Sequence, residues 1–377
     1  MTLNALFEKT IFLLGAGASM DAGCLASQGM LSDLRKQIRT LPSSDLRRMS
    51  FEEIFDFILA SLNYQYSMKA PDAFDFKGAI NIEDFILVLR QLIDREYIVP
   101  APLIGNWNDK IIGWEFRNND IFDEFLKFTT ELLVDKWTKF EEEEARTLLA
   151  PFRSLTESAE RFEVEIFTLN YDLTWESCFN TDREKLVETG FAAGRWVGAY
   201  DDPNNISKLR LSKLHGSVDW YFDDATEEVR LAEEPVAKPL VIFGSTYKMQ
   251  SFDPFISLLN RFRQRLQSAT LYVIVGYSFE DRYINNILIQ SLGSELNRSA
   301  IVVDPIAWKS AEHLTEKVEE IQTSRSLNEM LNLKRINPKR IEVVKATAKE
   351  FFSDYLANGA ERLIDSVQKV EEGEPAF

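Results

Sequence analysis

Cysteine and histidine are scarce in this chain, with two of each among 377 residues. The two cysteines, Cys24 and Cys178, are too few for a disulfide framework or a four-thiolate zinc site, and no Cys-x-x-Cys spacing occurs. We therefore expect no metal site. No apolar run approaches the ~20 residues that a membrane-spanning helix needs. The first residues also lack the layout of a signal peptide, so we expect a cytoplasmic protein.

Basic residues are in the minority, since 43 Lys and Arg stand against 60 Asp and Glu, for a net charge of −17. Such a chain repels phosphate backbones, so net charge does not support direct binding of nucleic acid. The Lys-Ser/Thr pair of a P-loop is absent, which disfavours a nucleoside triphosphatase. Hydrophobic residues make up 45% of the chain and aromatic residues 12%, enough for a well-packed core in one domain with an insertion or in two domains.

Short apolar runs that end in glycine or a polar residue predict an α/β fold, a Rossmann-like parallel sheet flanked by helices. The run Thr10–Leu14 predicts a buried strand, followed by a tight glycine turn and a helix. Further strands are predicted at 164–169, 209–214, 239–243, 270–275, 300–303 and 341–344, with a last helix from about 347 to 367.

The pattern between the first and second strands predicts a large all-helical insertion at residues 28–159. Ser50 and Glu53 have the spacing of a capping box, and Asn81 is positioned to cap a second helix. A third helix has apolar residues from Ile121 to Leu133 on one face. We assign 1–27 and 160–360 to the sheet core, and 361–377 to the end of the last helix and a mobile tail.

Two groups of side chains in the insertion have ordinary structural interpretations. Glu83 and Asp84 are interpreted as helix-start charges that complement the helix dipole rather than as catalytic acids. The aromatic residues Trp107, Trp114 and Trp137 are interpreted as core, with a partner interface as the alternative.

Glycine and polar residues follow the predicted strands at the edge where open α/β sheets bind ligands. Small residues in the first turn would let a backbone approach a pyrophosphate, although the third glycine is displaced from G-x-G-x-x-G. A tight turn without a ligand is the alternative. The turn consists of Gly15, Ala16, Gly17, Ala18 and Ser19, with Gly23 after it; Asn170, His215, Gly244, Gly276 and Asp304 follow later strands.

These segments resemble, in order, motifs of the sirtuin family. Gly15 to Gly23 (GAGASMDAG) looks like the sirtuin opening motif, and Thr168 to Asp172 (TLNYD) resembles the T-x-N-x-D element. Leu214 to Ser217 (LHGS) is similar to the His-Gly that carries the sirtuin catalytic histidine, and Phe243-Gly244 resembles the Phe-Gly segment that follows it. Gly276 to Phe279 (GYSF) is similar to the G-T-S segment, and Val303-Asp304 stands at the adenosine-ribose position. The resemblance covers somewhat over half the chain and not the insertion.

Two departures separate the chain from sirtuin deacylases. Leu25 to Gln28 (LASQ) stands where deacylases have Pro-Asp-Phe-Arg, and the four-cysteine zinc ribbon is missing. The remaining pattern resembles bacterial sirtuin-like NAD hydrolases of anti-phage defence. That resemblance implies a homo-oligomer that depletes NAD and works with a partner such as a HerA-like ATPase or an Argonaute-type protein.

The resemblance implies NAD as substrate, cleaved at the nicotinamide–ribose bond, with no metal. His215 is expected to be the general base, Asn170 to orient water or ribose, and Asp172 to stabilise positive charge or bind the carboxamide. Ser19 and the Gly17–Ala18 amides would meet the pyrophosphate, Ser278 a ribose or phosphate, and Asp304 the adenosine ribose. A structural role for His215 and helix capping by Asn170 and Asp172 remain alternatives, and His313 is interpreted as a surface residue.

Three other functions remain open at this point. The first is NAD-dependent deacylation of a protein, which the departures disfavour. The second is a non-enzymatic, nucleotide-sensing subunit, and the third is nuclease activity within a defence complex, although no carboxylate cluster identifies a metal-dependent nuclease site.

Overall fold

The computed structural model describes residues 1–69, 80–94, 110, 113–115, 118–158, 161–180, 186–198, 209–243, 252–294, 297–306, 310–315 and 337–373. Contacts among backbone positions divide the chain into two compact units. Unit 1 comprises Met1–Cys24, Lys139–Val241 and Gln250–Phe377, and unit 2 comprises Leu25–Thr138 and Ile242–Met249.

Unit 1 contains a parallel sheet of seven strands, which confirms the predicted fold class. Across its two sheets, the described part of the chain has eleven strands, which are β1 (Thr10–Leu14), β2 (Val164–Thr168), β3 (Val187–Glu188), β4 (Phe191–Ala192), β5 (Arg195–Trp196), β6 (Leu209–Lys213), β7 (Trp220–Asp223), β8 (Glu228–Leu231), β9 (Leu271–Val275), β10 (Ser299–Val303) and β11 (Ile341–Val344). The sheet order is β11-β10-β9-β1-β2-β6-β3, with β1 paired in parallel to both β2 and β9. Strands β1, β2, β9 and β10 are buried along their whole length, as expected where helices cover both faces.

The α-helices flank this sheet in unit 1 and make up most of the described part of unit 2. They are α1 (Leu3–Lys9), α2 (Ser27–Thr40), α3 (Leu46–Lys69), α4 (Ile82–Ile93), α5 (Ile121–Leu132), α6 (Glu142–Thr156), α7 (Thr174–Phe179), α8 (Phe255–Ser268), α9 (Arg282–Ser294), α10 (Ala348–Tyr355) and α11 (Ala357–Glu371). The helix expected after the glycine turn is a 3₁₀ helix, Ala16–Ala22. Along the described ranges, no helix is both long enough and apolar enough to cross a membrane.

Three sequence predictions of elements were wrong. The run 239–243 is not a strand, because only Val241 pairs, in an isolated bridge with Gly216. Ser50 does not begin a helix but lies buried inside α3, which starts at Leu46. The last helix is two helices, interrupted by left-handed backbone from Asn358 to Ala360. A small antiparallel sheet, β4-β5-β8-β7, was missed, since its strands are two to four residues long.

Unit 2 has an aromatic core among its helices. The Phe51 and Phe125 rings stack at 4.4 Å, and the Trp114 indole donates to Glu53 at 2.6 Å. Trp114 and Trp137 are fully buried, which confirms their core interpretation, while Trp107 lies outside the described residues. Asn81 caps α4 by accepting from the amides of Glu83 and Asp84, as predicted.

Backbone hydrogen bonds join the chain at the two ends of the segment Leu25–Thr138. On the unit 1 side, the Glu141 amide donates to the Ala22 carbonyl at 2.8 Å. On the unit 2 side, the Leu25 amide donates to the Trp137 carbonyl at 3.0 Å. In each unit, a hydrogen bond therefore joins the two backbone segments at which the chain passes into the other unit.

Candidate functional site

The predicted site residues come together at the carboxyl edge of the parallel sheet. Gly276 follows β9, Gly15 follows β1, Asn170 lies just beyond β2, and His215 lies just beyond β6. These four strands are adjacent in the order β9-β1-β2-β6, so the turns that follow them are neighbours. This arrangement is the ligand-binding edge of open α/β sheets.

The glycine turn is shaped by its contact with Gly276. A Cβ on Gly15 would lie 2.5 Å from the Gly276 carbonyl oxygen, and one on Gly17 would lie 2.7 Å from the Gly276 Cα. The Gly17 amide donates to the Gly276 carbonyl, and the Ala18 amide donates to the Gly15 carbonyl, both at 2.9 Å. The turn therefore requires glycine for protein packing alone, and the two amides assigned to a pyrophosphate already have acceptors within the protein.

Asn170 connects the β2 turn to the glycine-turn segment. Its side-chain Nδ2 donates to Ser19 Oγ at 2.9 Å, and its backbone amide donates to Thr168 Oγ1 at 3.1 Å. Asn170 is 9% exposed and Ser19 is 4% exposed. The amide of Asn170 is thereby held in one orientation at the edge of the sheet, and it does not cap α7.

Asp172 has the geometry of the capping alternative. Its Oδ1 accepts from the backbone amide of Thr174 at 3.1 Å and from the Thr174 hydroxyl. Thr174 is the first residue of α7, so the carboxylate satisfies a free amide at a helix start. A direct role of Asp172 in chemistry stays a prediction.

His215 is held by a carboxylate that the sequence analysis did not identify. Its Nε2 lies 3.0 Å from Asp281 Oδ2, and both side chains are buried. The ring also lies near Tyr171, with centroids 6.5 Å apart. Gly216 after it has φ +84, and a Cβ there would lie 2.1 Å from the Leu240 carbonyl oxygen, so the His-Gly turn needs glycine.

Lys213 is a second residue that the sequence analysis missed. Its Nζ donates to the Asp172 carbonyl oxygen at 2.5 Å and to Ser217 Oγ at 2.8 Å, and it pairs with Glu176 at 2.8 Å. Burial lowers the pKa of Lys213, but the carboxylates of Glu176, Asp219 and Asp172 raise it by more. The ammonium group therefore stays charged and ties the β2 turn to the β6 turn.

A signal for Lys213 was present in the sequence. Residues 209, 211 and 213 share one face of β6, and the first two are leucines. A lysine on that apolar face needs buried partners. The signal for Asp281 in the sequence was weaker, because a single Asp just before a helix start is already explained by helix capping.

The remaining predicted ligand residues vary in their surroundings. Ser278 is exposed, and Asp304 accepts from the Ile306 amide at 2.8 Å in a turn after β10. Gly23 has φ +103 and ends the 3₁₀ helix, which accounts for glycine there without a ligand. Gly244 lies outside the described residues. His313 is half-buried.

The two cysteines do not have the character of nucleophiles. Burial raises the pKa of Cys24, and Asp172 raises it further. Burial also raises the pKa of Cys178, to about 11. Both thiols therefore remain protonated at neutral pH. Among the described residues, no group of three or more His, Cys, Asp or Glu side chains is arranged to hold a metal ion.

Residues 164–324 match the family model of the SIR2-like domain. This stretch includes Asn170, His215, Gly276 and Asp281, so the match to a SIR2-like domain extends over the part of the chain that carries these residues. No curated protein matches the sequence. Among solved structures, a mutant Sir2 homologue in complex with 2′-O-acetyl ADP ribose aligns with 94% of this chain and 92% of its own, at 9% identity and a TM-score of 0.42.

Proposed function

We propose that this protein is an NAD⁺ glycohydrolase that uses water to split NAD⁺ into nicotinamide and ADP-ribose, releasing a proton. The observation that carries the proposal is the pairing of strand-end groups at one sheet edge. Asn170 is hydrogen-bonded to Ser19 of the glycine turn, and His215 is hydrogen-bonded to Asp281, which lies between β9 and α9. Asn170 and His215 lie within the stretch that matches the SIR2-like domain.

The chemistry asks little of a leaving-group acid. The nicotinamide ring of NAD⁺ is a pyridinium cation, and it departs as neutral nicotinamide when its bond to the ribose breaks. The transition state resembles an oxocarbenium ion. In the proposed site, His215 takes a proton from water or from a ribose hydroxyl, and Asn170 orients that group. Contacts of the glycine turn with the pyrophosphate, of Ser278 with a ribose or phosphate and of Asp304 with the adenosine ribose belong to the same proposal, as does electrostatic support from Asp172.

Burial sets a condition on this reaction. Only 4% of the His215 side chain is exposed, so a sugar can reach the ring only if groups around it move. Likewise, the Gly17 and Ala18 amides must exchange their protein acceptors to bind a phosphate oxygen. The proposal therefore includes a rearrangement of these turns when NAD binds.

Nicotinamide release from NAD by the purified protein tests the proposal. His215→Ala and Asn170→Ala are each expected to lower kcat on the order of 10²–10⁴-fold, the usual contribution of general acid–base catalysis. His313→Ala is the matched control and should keep full activity. Full activity in both site variants would exclude this site.

An acetyl-lysine peptide separates hydrolysis from deacylation. The proposed hydrolase releases nicotinamide at the same rate with and without peptide. Release that depends on peptide would instead support a deacylase, and measured products would distinguish ADP-ribose from a cyclised form.

We further propose, on the resemblance alone, that the activity serves as a defence effector that depletes NAD. In that setting the subunit would form a homo-oligomer and be controlled by its assembly or by a HerA-like ATPase. Co-expression with candidate partners, followed by mass measurement of the complex and the NAD assay, tests this. A monomer with unregulated activity would contradict it.

A further inference from the structure

Asp281 is held in place by the helix that it precedes. Its Oδ1 accepts from the backbone amides of Tyr283 at 2.9 Å and Ile284 at 3.3 Å, at the start of α9. The Tyr277 hydroxyl lies 3.1 Å from the Asp281 backbone carbonyl oxygen and 2.9 Å from Asn285 Oδ1, so its one proton is shared between these two acceptors. The carboxylate therefore has one oxygen fixed by the helix start, and the other, Oδ2, points at His215.

This arrangement decides which nitrogen of His215 carries the proton. An ionised carboxylate can only accept hydrogen bonds, so the Nε2 atom that lies 3.0 Å from Oδ2 must be the donor. In the neutral ring, the proton then sits on Nε2, and Nδ1 holds the lone pair. Nδ1 is buried, and none of the residues that the structure describes offers it a hydrogen-bond partner.

Leaving a buried nitrogen without a hydrogen-bond partner costs free energy of folding, so such an atom in a native structure is a candidate for a catalytic role. Tyr171, in the turn that follows β2, lies near the His215 ring, with ring centroids 6.5 Å apart. Asn170 precedes Tyr171 and supplies an amide at the same sheet edge.

We propose that Asp281 is a positioning residue that fixes His215 as the Nε2–H tautomer, so that Nδ1 is the nitrogen that accepts the proton in the reaction. The assignment of a reaction to Nδ1 rests on the proposed NAD hydrolysis. The tautomer itself does not, and the two are separable by experiment. Asp281 touches neither water nor sugar in this scheme and acts only through the imidazole.

Nitrogen NMR of histidine-labelled protein measures the tautomer directly. The chain has two histidines, so His313→Gln leaves one ring to observe and assigns the spectrum. In the otherwise unaltered protein, the expected spectrum at a pH where the ring is neutral shows a proton on Nε2 and none on Nδ1. A proton on Nδ1 would overturn the proposal, whatever the activity.

Asp281→Asn changes the tautomer while keeping the cap. The amide oxygen can still accept from the Tyr283 and Ile284 amides, and the amide NH₂ then faces Nε2 as a donor. Nε2 must become the acceptor, so the proton moves to Nδ1. We expect kcat for NAD to fall on the order of 10²–10⁴-fold, as for loss of a general base, with KM unchanged. If Asp281 had only a structural role, kcat would stay unchanged although the tautomer inverts.

The outcomes separate this inference from the proposed function. If Asp281→Asn inverts the tautomer and retains the full kcat, Asp281 and Nδ1 have no part in catalysis and the inference is overturned, while NAD hydrolysis stands. If the tautomers behave as expected but the unaltered protein releases no nicotinamide, hydrolysis fails and the positioning of the ring stands. If the variant does not fold, the tautomer of the unaltered protein decides.

Discussion

Lys213 is a buried cation whose three N–H donors match three acceptors. The acceptors lie on the turn after β2, on helix α7 and on the turn after β6. An ammonium group has three donors and no acceptor, so this side chain has none left for a substrate phosphate. Its contribution to any activity is therefore to hold Asn170 and His215 on their turns.

Lys213→Met is expected to destabilise the protein by about 3–5 kcal/mol, because it leaves the Glu176 carboxylate buried without its cation. The double variant Lys213→Met/Glu176→Met should recover most of that loss, since an apolar pair replaces the ion pair. Urea unfolding followed by circular dichroism provides the measurement. Lys127→Met, at a lysine side chain that is 72% exposed, is the control and should change stability by less than about 0.5 kcal/mol.

The pH dependence of this term follows from the raised pKa of Lys213. Because the folded protein binds the proton more tightly than the unfolded chain does, the stabilisation is complete below the ordinary value of 10.5. It is lost as the pH rises through the higher pKa of the folded state. Equal destabilisation by Lys213→Met at pH 7 and well above pH 11 would contradict this.

Single residues of the site were predictable from the sequence only where they directly follow a recognisable strand. Asn170 and His215 follow apolar strands, so the strand pattern placed both at the same edge. Asp281 lies 66 positions from His215, and nothing in the sequence indicates which strand-end turn a helix-start carboxylate faces. Hydrogen bonds between distant turns depend on tertiary packing, which short-range patterns do not encode.

At the scale of elements, the glycine turn and the turn after β9 are packed backbone against backbone. Gly276 has φ +62, and a Cβ on it would lie 2.4 Å from the Ala18 amide nitrogen. There is no flexible side chain at this contact to give way.

Gly276→Ala is expected to cost about 3–5 kcal/mol, from overpacking and left-handed strain together. Gly29→Ala is the matched control in α2, where a Cβ would find its nearest neighbour at 3.7 Å. That change should stabilise by about 0.5–1 kcal/mol, as alanine does in a helix. Thermal unfolding of the two variants side by side checks the contrast, and an equal effect would refute the contact.

A carboxylate ties α2 to the segment after α5 in unit 2. Asp33 accepts from Lys136 at 2.8 Å, from the Trp137 indole at 2.9 Å and from Gln37 at 3.2 Å. Partial burial raises the pKa of Asp33, but these hydrogen bonds outweigh it and hold the pKa below the ordinary value of 3.8. Its stabilising contribution is therefore present above pH 3.8 and is lost as the pH falls through the lower pKa of the folded state.

Asp33→Asn should lower stability by about 1–2 kcal/mol at pH 7, because a charged acceptor is replaced by a neutral one. The difference from the unaltered protein should shrink as the pH falls below 3.8. Asp56→Asn, at a side chain that is 60% exposed and paired with Arg35, is the control and should cost less than about 0.5 kcal/mol. Denaturant titrations at several pH values test both statements.

Elements were predictable in proportion to their length and periodicity. Short runs dominated by apolar residues identified β1, β2, β6, β9, β10 and β11. The run 239–243 has the same composition but lies beside the Gly216 turn, where only one bridge forms. Ser50 has the spacing of a cap, but α3 extends one turn further toward its N-terminus, so local capping chemistry was overridden by the packing of the helix.

At the scale of the whole molecule, the hydrophobic core around the sheet is built from unit 1 residues alone. Every residue of its hydrophobic cluster belongs to unit 1, including Phe12, Phe152 and Phe352. The Ala22 carbonyl and the Glu141 amide, on either side of residues 25–138, are already hydrogen-bonded to each other.

Replacing residues 25–138 by a short Gly-Ser linker should therefore leave a unit 1 that folds cooperatively. Circular dichroism should show a lower helix fraction, and a single unfolding transition should remain. A chain that aggregates or melts without cooperativity would show that unit 1 depends on the removed segment. A variant of the full chain with the same linker inserted after Cys24 controls for the linker itself.

Chain closure at Ala22 and Glu141 also bears on how this architecture can change over time. The entropy of closing a flexible loop grows only with the logarithm of its length, by roughly 0.6 kcal/mol for each doubling. Segments of very different length can therefore be accommodated between Ala22 and Glu141 without disturbing the strands of the sheet. By the same argument, the length of the segment 25–138 can change at small cost to the folding of the sheet.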